Sequence, residues 1–376
     1  MKKQLFALFM LSSLVACTGE KVLIVIKPNL AINNVQIHSE LVREYFNQEN
    51  YDYKDMNAFI NAKTDQGDNL PIEITWEAEN LPKNKEVEYE IYFRELNGRM
   101  VSKISRTSET KINFVNYELN HEYQMKMSVV DKKDKVLYEN TFNFTTPDGY
   151  FRTVTIDGVT NFRDLGDGKK LRQGMIYRSA TLTNNTSADE NNPVSISEEG
   201  KEQLSHLALR TRLDLRKADE KTDNEPNIID NVVSAPLYYG GQNILTYKNS
   251  EFNNPETIKN IFNLLAERTT YPIDIHCVRG TDRTGCIAYL VKGLLGIDEE
   301  MLYRDFLFSN FYNIGSPVKL ESIYYSTNPD ATTKYVNVIH QAEGETLKDK
   351  IYNYLSSDKV GVSTENLDKI INILKA

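Results

Sequence analysis

The segment His276-Cys277-Val278-Arg279-Gly280-Thr281-Asp282-Arg283-Thr284-Gly285 constrains what this chain folds into more than any other stretch. Cys277 and Arg283 are separated by five residues, which is the length of a tight turn wrapped around one phosphate-sized anion, with the thiol beneath it and the guanidinium beside it. Upstream, Tyr271-Pro272-Ile273-Asp274-Ile275 reads as a short strand. Downstream, Cys286-Ile287-Ala288-Tyr289-Leu290-Val291 with Leu294 and Leu295 continues as an apolar helix. The turn therefore joins a strand end to a helix N-terminus, where backbone N–H groups converge on an anion.

Each position in the turn has a chemical reason. Helix N-termini and neighbouring cations favour a thiolate, so Cys277 is read as the nucleophile that attacks phosphorus. Arg283 offers a planar fork of donors that fits two phosphoryl oxygens, and the fit tightens as charge develops in the transition state. Thr284 is placed to donate its hydroxyl to the sulfur as it leaves in a second step. Gly280 and Gly285 allow the close approach that a phosphate cradle needs. His276, Val278, Arg279, Gly280 and Thr281 complete the expected phosphate-binding turn. The reading is that of a cysteine-dependent phosphatase.

With these residues in place the sequence resembles the protein tyrosine phosphatase superfamily, whose signature is HCx5R followed by Ser or Thr. It is most similar to a bacterial branch of dual-specificity and phosphoinositide-type enzymes in which the turn ends in DRTG. Other motifs of that branch follow in order: Asn161-Phe162-Arg163-Asp164-Leu165-Gly166, Tyr177-Arg178-Ser179, Leu213-Asp214-Leu215-Arg216 with Glu220 after it, and Asp305-Phe306-Leu307-Phe308-Ser309-Asn310. The resemblance covers about Phe151 to Ala376. Two departures stand out: Thr281 occupies the place of a common Lys, and Arg279 that of a common small residue. A cation has changed place, and polyanionic substrates such as phosphoinositides are often held by that Lys.

The proton donor is harder to place. Many members carry an Asp on a mobile loop before the Cys, but Ser234-Ala235-Pro236-Leu237-Tyr238-Tyr239-Gly240-Gly241 contains no carboxylate. Asp282 is the candidate by elimination and by resemblance, with Asp164 and Asp214 as alternatives that read more readily as salt-bridge braces of neighbouring arginines. Arg178 and Arg216, with Asp214, either contact the phosphate or position the turn; both readings stay open.

At the N-terminus, Met1-Lys2-Lys3, an apolar run from Leu5 to Ala16 and Leu14-Val15-Ala16-Cys17 resemble a bacterial lipoprotein signal. The run is shorter than the ~20 residues of a membrane span. The expected organisation is a signal peptide over 1–16, with Cys17 as lipid anchor in the cell envelope, facing the periplasm or cell surface, and a tether over 17–30. Only Cys277 and Cys286 then remain, too few for a disulfide framework, and Cys286 is expected to pack in the helix core. A net charge of −9 argues against nucleic acid as a partner. His38, His121, His206, His276 and His340 show no metal-ligand spacing, so no metal or other cofactor is implied.

Residues 31–147 have another texture. Ile72–Trp76, Val87–Phe93, Lys111–Phe114 and Tyr123–Val129 alternate with period two between turn-forming clusters. They resemble a fibronectin type III β-sandwich, with Trp76 in its core and Tyr123 as a tyrosine corner. Thr145-Thr146-Pro147-Asp148-Gly149 marks the boundary, and Asn184–Asn192 is expected as a polar loop near the site. Beyond it, strands near Met175, Arg212 and Ile273 alternate with helices such as Pro255–Glu267, an α/β order with a central sheet flanked by helices over 148–376, closed by a helix carrying Leu367, Ile370, Ile371 and Leu374.

The sequence thus predicts a phosphomonoesterase with a phosphocysteine intermediate. Its partners are a phosphorylated protein of the phosphotyrosine type or a phosphorylated small molecule such as an inositol phosphate, and the membrane through its anchor. A reading of a different class is a tethered binding protein with an inactive phosphatase fold, against which Cys277, Asp282 and Arg283 count.

Overall fold

The computed structural model describes residues 23–49, 52–60, 67–95, 105–182, 195–221, 228–239, 243–328 and 333–376. The expected signal segment, Cys17 and the loop expected over Asn184–Asn192 lie outside them. Among the described residues no helix is long and apolar enough to cross a membrane.

In the N-terminal half, alternating residues form strands β1 (Val25–Pro28), β2 (Ile72–Glu79), β3 (Val87–Glu95), β4 (Ser105–Thr107), β5 (Lys111–Phe114), β6 (Glu122–Asp131) and β7 (Val136–Thr145). They pair as two antiparallel sheets, β1-β2-β5 and β4-β3-β6-β7. Ile74 and Trp76 from the first sheet and Tyr89, Ile91, Phe93, Met125 and Met127 from the second share one apolar cluster. Trp76 meets Tyr89 edge-on with centroids 5.1 Å apart, and Phe93 stacks on Phe114 at 4.3 Å. The Tyr123 hydroxyl accepts the Glu118 N–H at 2.9 Å, five residues back.

Two expected boundaries change. The tether over 17–30 is shorter than expected, because β1 pairs with β2 from Val25↔Glu79 to Pro28↔Trp76. Residues 31–147 are not all β: helices α1 (Glu40–Asn47) and α2 (Asn57–Ile60) interrupt them. Ser39 caps α1 by accepting the Val42 N–H at 3.3 Å. Val42, Tyr45 and Phe46 then share one helix face, and with Tyr53, Met56 and Phe59 they bury in the C-terminal core rather than between the sheets. Arg304 fastens this segment by donating to the carbonyls of Tyr45 at 2.8 Å and Gln48 at 2.7 Å, where the end of α1 leaves acceptors unpaired.

The C-terminal half is built on β8 (Arg163–Asp164), β9 (Ile176–Ser179), β10 (Thr211–Asp214), β11 (Asn231–Ser234) and β12 (Ile273–His276), in the order β11-β10-β12-β9-β8. All pairs are parallel except β8 with β9. Around the sheet run α3 (Glu198–His206), α4 (Asn254–Leu265), α5 (Asp282–Leu294), α6 (Glu299–Phe308), α7 (Tyr335–His340), α8 (Leu347–Ser356) and α9 (Thr364–Leu374). Every residue of β9, β10 and β12 is buried, as a parallel sheet covered on both faces requires. The expected helices at 255–267 and 367–374 are α4 and α9, and the strand–turn–helix around Cys277 is β12 followed by α5.

The two halves meet along a polar seam. Arg152 donates to the carbonyls of Tyr117 and Asn116, both at 3.0 Å, and to Asp164 Oδ2 at 2.7 Å. The Gln173 side chain pairs with both backbone groups of Leu119 at 2.9 Å. Glu95, Glu118 and His121 also come together here, within 4.8 Å of one another; Arg152 stands 3.6 Å from Glu118 and supplies a cation to the group.

Candidate active site

The central strand β12 ends at His276, and the chain turns through Cys277–Thr281 before α5 starts at Asp282. What shapes the turn is the fate of its carbonyls. Those of His276, Val278 and Thr281 accept backbone N–H groups of Leu215 at 2.9 Å, Thr181 at 3.1 Å and Gly285 at 2.7 Å. The Arg279 carbonyl accepts Asn161 Nδ2 at 2.9 Å, and that of Gly280 accepts Arg178 Nη2 at 2.6 Å. A trans peptide points its N–H opposite its carbonyl. With these carbonyls held on the outer side, the N–H groups of Cys277, Arg279, Gly280, Thr281 and Asp282 are left for the concave side, an anion-binding nest at a helix start. Gly280 is required: its φ is +70°, and a Cβ would lie 2.4 Å from the Ser179 carbonyl oxygen.

Inside this turn Cys277 is 2% exposed. Thr284 is fully buried and its hydroxyl has no hydrogen-bond partner. Arg283 lies across the turn, gripped by Glu220 through Nη1 to Oε2 at 2.5 Å and Nη2 to Oε1 at 3.0 Å. Burial would lower the Arg283 pKa, but the charge of Cys277 and the contacts of Glu220 outweigh it and raise the pKa above its ordinary value. Glu220 is drawn down in turn: burial opposes its ionisation, and the Arg283 hydrogen bonds overcome that. Glu220 holds one edge of the guanidinium, and Nη1 also donates to the Leu215 carbonyl at 3.3 Å.

The motifs flanking the turn converge on Asp305. Arg163 Nε donates to its Oδ1 at 2.8 Å, Arg178 Nη1 to its Oδ2 at 3.0 Å, and Lys292 Nζ lies 3.5 Å from Oδ2. Burial disfavours the Asp305 anion, but Lys292, Arg163 and Arg178 hold the carboxyl well below the usual range. Burial and then the Arg163 charge bring Arg178 down to about 10. Arg178 therefore links Asp305 to the Gly280 carbonyl, behind the turn.

Asp214 and Arg216 form a second brace. Arg216 donates Nε to Asp214 Oδ1 at 2.9 Å and Nη2 to Oδ2 at 3.0 Å, and its Nη1 reaches Thr181 Oγ1 at 2.8 Å. Burial opposes the Asp214 charge, but the Arg216 hydrogen bonds and the charge of its guanidinium lower the pKa far below normal. His276, buried against Arg212 at 3.2 Å, is pushed well below its ordinary pKa by burial and by that guanidinium. It is a neutral imidazole next to the thiol.

The expected turn residues from His276 to Thr284 thus come together. Arg178, Arg216 and Asp214 make bracing contacts behind them. Asp164, the alternative donor, is tied to Arg152 and to the N–H groups of Gly166 at 2.8 Å and Gly174 at 2.6 Å, and burial raises it to about 6. Asp282 stands at the start of α5, accepting Thr281 Oγ1 at 3.0 Å. Cys286 is buried in α5, and burial pushes its thiol far up. Sequence reasoning missed the roles of Glu220, Asn161 and Asp305, although all three lie in or beside the motifs.

The tyrosine phosphatase family model matches residues 154–375, more than half of the chain. The chain belongs to this family. Among solved structures it is similar to the S. cerevisiae PP-IP phosphatase SIW14 core catalytic domain in complex with citrate, at 19% identity over 38% of this chain and 77% of that one, with a TM-score of 0.28. A second Siw14 catalytic core shares 16% identity over 42% and 79%, with a TM-score of 0.28. P. aeruginosa TpbA shares 19% over 40% and 80%, with a TM-score of 0.25. No curated protein matches the chain.

Proposed function

We propose that the chain hydrolyses phosphomonoesters through a phosphocysteine intermediate, with phosphotyrosine-type protein phosphate as the leading substrate class. The observation that carries this reading is the turn itself: five carbonyls held outward around Cys277, with Arg283 fixed over it by Glu220. The Cys277 sulfur attacks phosphorus, the P–O bond breaks, and the departing oxygen takes its proton from Asp282. Water then attacks the phosphoryl group, gives a proton to the Asp282 carboxylate, and the P–S bond breaks to return the thiolate. Arg283 and the turn N–H groups balance the equatorial oxygens in both steps. The neighbouring Thr284 hydroxyl is free to donate to the leaving sulfur.

Arg279, half-buried in the turn, supports a second reading, an inositol phosphate or phosphoinositide substrate whose further phosphates meet this cation. The N-terminal sheets are read as a fibronectin type III-like module, a reading that the Tyr123–Glu118 bond supports. The deciding experiment profiles the purified chain against phosphotyrosine peptides, inositol phosphates and phosphoinositides. Phosphotyrosine peptides are expected to give the highest kcat/KM. Faster turnover of the inositol compounds would replace the substrate class, and no turnover of any would overturn the enzymatic reading.

A further inference from the structure

The carbonyls of the Cys277 turn are held in two ways. Those of His276, Val278 and Thr281 accept backbone N–H groups. Those of Arg279 and Gly280 are held by side chains, Asn161 Nδ2 at 2.9 Å and Arg178 Nη2 at 2.6 Å. These two carbonyls belong to the peptides on either side of Gly280, where the missing Cβ makes the backbone easiest to rotate. A rotated peptide would turn its carbonyl, the negative end of its dipole, toward the bound anion. Both side chains trace back to one carboxylate. Arg178 donates Nη1 to Asp305 Oδ2 at 3.0 Å. Asn161 accepts Arg163 Nη1 through its own Oδ1, and Arg163 donates Nε to Asp305 Oδ1 at 2.8 Å. Each oxygen of Asp305 thus starts a separate relay, and the two relays end on consecutive carbonyls of the turn. Asp305, Asn161, Arg163 and Arg178 are all buried, where hydrogen bonds are electrostatically stronger than in water.

We propose that Asp305 is a positioning residue for catalysis: through Arg178, and through Arg163 with Asn161, it keeps the N–H groups of Gly280 and Thr281 aimed at the transferring phosphoryl group. This deepens the phosphocysteine reading and rests on it. Arg163 also donates Nη2 to the Asp305 carbonyl at 2.8 Å, so its fork grips residue 305 twice. Lys292 brings a third cation to the carboxylate, with Nζ 3.5 Å from Oδ2, but it packs over the Phe151 ring at 4.9 Å rather than reaching for the turn. The transition state gathers charge on the equatorial oxygens, so donors fixed in advance stabilise it more than they stabilise the bound substrate. Loosening the two peptides would therefore lower kcat more than it raises KM.

The test separates positioning from folding. Asp305→Asn keeps the shape but loses the charge and one acceptor, and it should lower kcat for p-nitrophenyl phosphate by ~10²-fold, the scale of one lost oxyanion donor. The Kd of vanadate, which mimics the five-coordinate transition state, should rise by the factor by which kcat/KM falls, while KM changes little. A merely structural loss reduces the fraction of active molecules and leaves KM and the vanadate Kd of the remainder unchanged. Lys292→Met removes the third cation and should cost thermal stability with kcat near the wild-type value. Should Asp305→Asn not fold, Asn161→Asp decides. Aspartate tolerates the φ of +59° at this position and still accepts from Arg163, but it cannot donate to the Arg279 carbonyl. Its kcat and vanadate affinity should fall together by about tenfold. Wild-type vanadate affinity in a folded Asp305→Asn or Asn161→Asp protein, or an equal loss of kcat in Lys292→Met, overturns the positioning role while Cys277 still takes up phosphate. If Cys277 takes up none in the wild type, the phosphocysteine reading fails and this proposal fails with it.

Discussion

The sheets of the two halves bury opposite kinds of side chain. On β3 and β6 the inward positions are Tyr89, Ile91, Phe93, Met125 and Met127, and polar residues such as Glu88 and Lys126 sit on the other face. On β9, β10 and β12 nothing is outward, and the buried positions include Arg178, Arg212, Asp214, Asp274 and His276. Apolar burial at ~25 cal/mol per Å² tells an element which face to cover, but it does not fix a geometry to a few tenths of an ångström. Buried charges do, because each tolerates burial only with its partner in place. The first half is a module held by area. The second is a frame held by paired charge, and one of its arginines, Arg178, ends on the Gly280 carbonyl of the Cys277 turn.

The sharpest way to break that contrast is to separate the halves. If they were independent, a chain starting at Asp148 would keep its stability and full turnover. Instead, it would lose Tyr45, Phe46, Tyr53, Met56 and Phe59 from the C-terminal core and strip Arg152 and Arg304 of their carbonyl partners. Each buried aromatic lost costs roughly 3 kcal/mol or more, so the total is comparable to a typical domain stability of ~5–15 kcal/mol. The shortened chain should be insoluble or unfolded by circular dichroism, and a cooperative melt near that of the full chain would show that the seam is dispensable.

A smaller effect probes the seam by pH. His38 is buried there, its Nε2 accepting the Tyr150 N–H at 3.0 Å, and burial followed by the Arg43 charge lowers it to about 4. The unfolded chain takes up a proton near pH ~6.5 that the folded chain refuses. The folded pKa is depressed, so this contribution is present above pH ~6.5 and is lost as pH falls toward 4. Its size is on the order of 3 kcal/mol. His38→Gln keeps an acceptor that does not titrate, and it should flatten the fall in unfolding free energy between pH 7 and 4, measured by urea titration. Identical slopes for the two proteins would place His38 outside the pH response.

How much of this was legible in the sequence follows from the same contrast. Local signals survive in sequence: the HCx5R turn between a strand and a helix, the alternation at Ile72–Trp76 and Tyr123–Val129, the helical spacing at Leu367, Ile370, Ile371 and Leu374. The docking of α1 on the C-terminal core did not, although Ser39 followed by Val42, Tyr45 and Phe46 is a capped helix with one apolar face. Nothing local says which core that face covers. The charge frame was visible only as motifs. Whether Arg178 meets phosphate or a backbone carbonyl depends on Asp305, 127 residues away, and Glu220 finds Arg283 across 63 residues.

The central claim is that the turn exists to carry phosphate on Cys277. The most direct measurement quenches the full chain during turnover of an aryl phosphate and locates the phosphoryl group by peptide mass spectrometry. The account predicts phosphate on the peptide containing Cys277, and with Cys277→Ser neither the adduct nor turnover, while inorganic phosphate or vanadate still binds. Sustained turnover by Cys277→Ser, or turnover by the wild type with no phosphate ever found on Cys277, would contradict it.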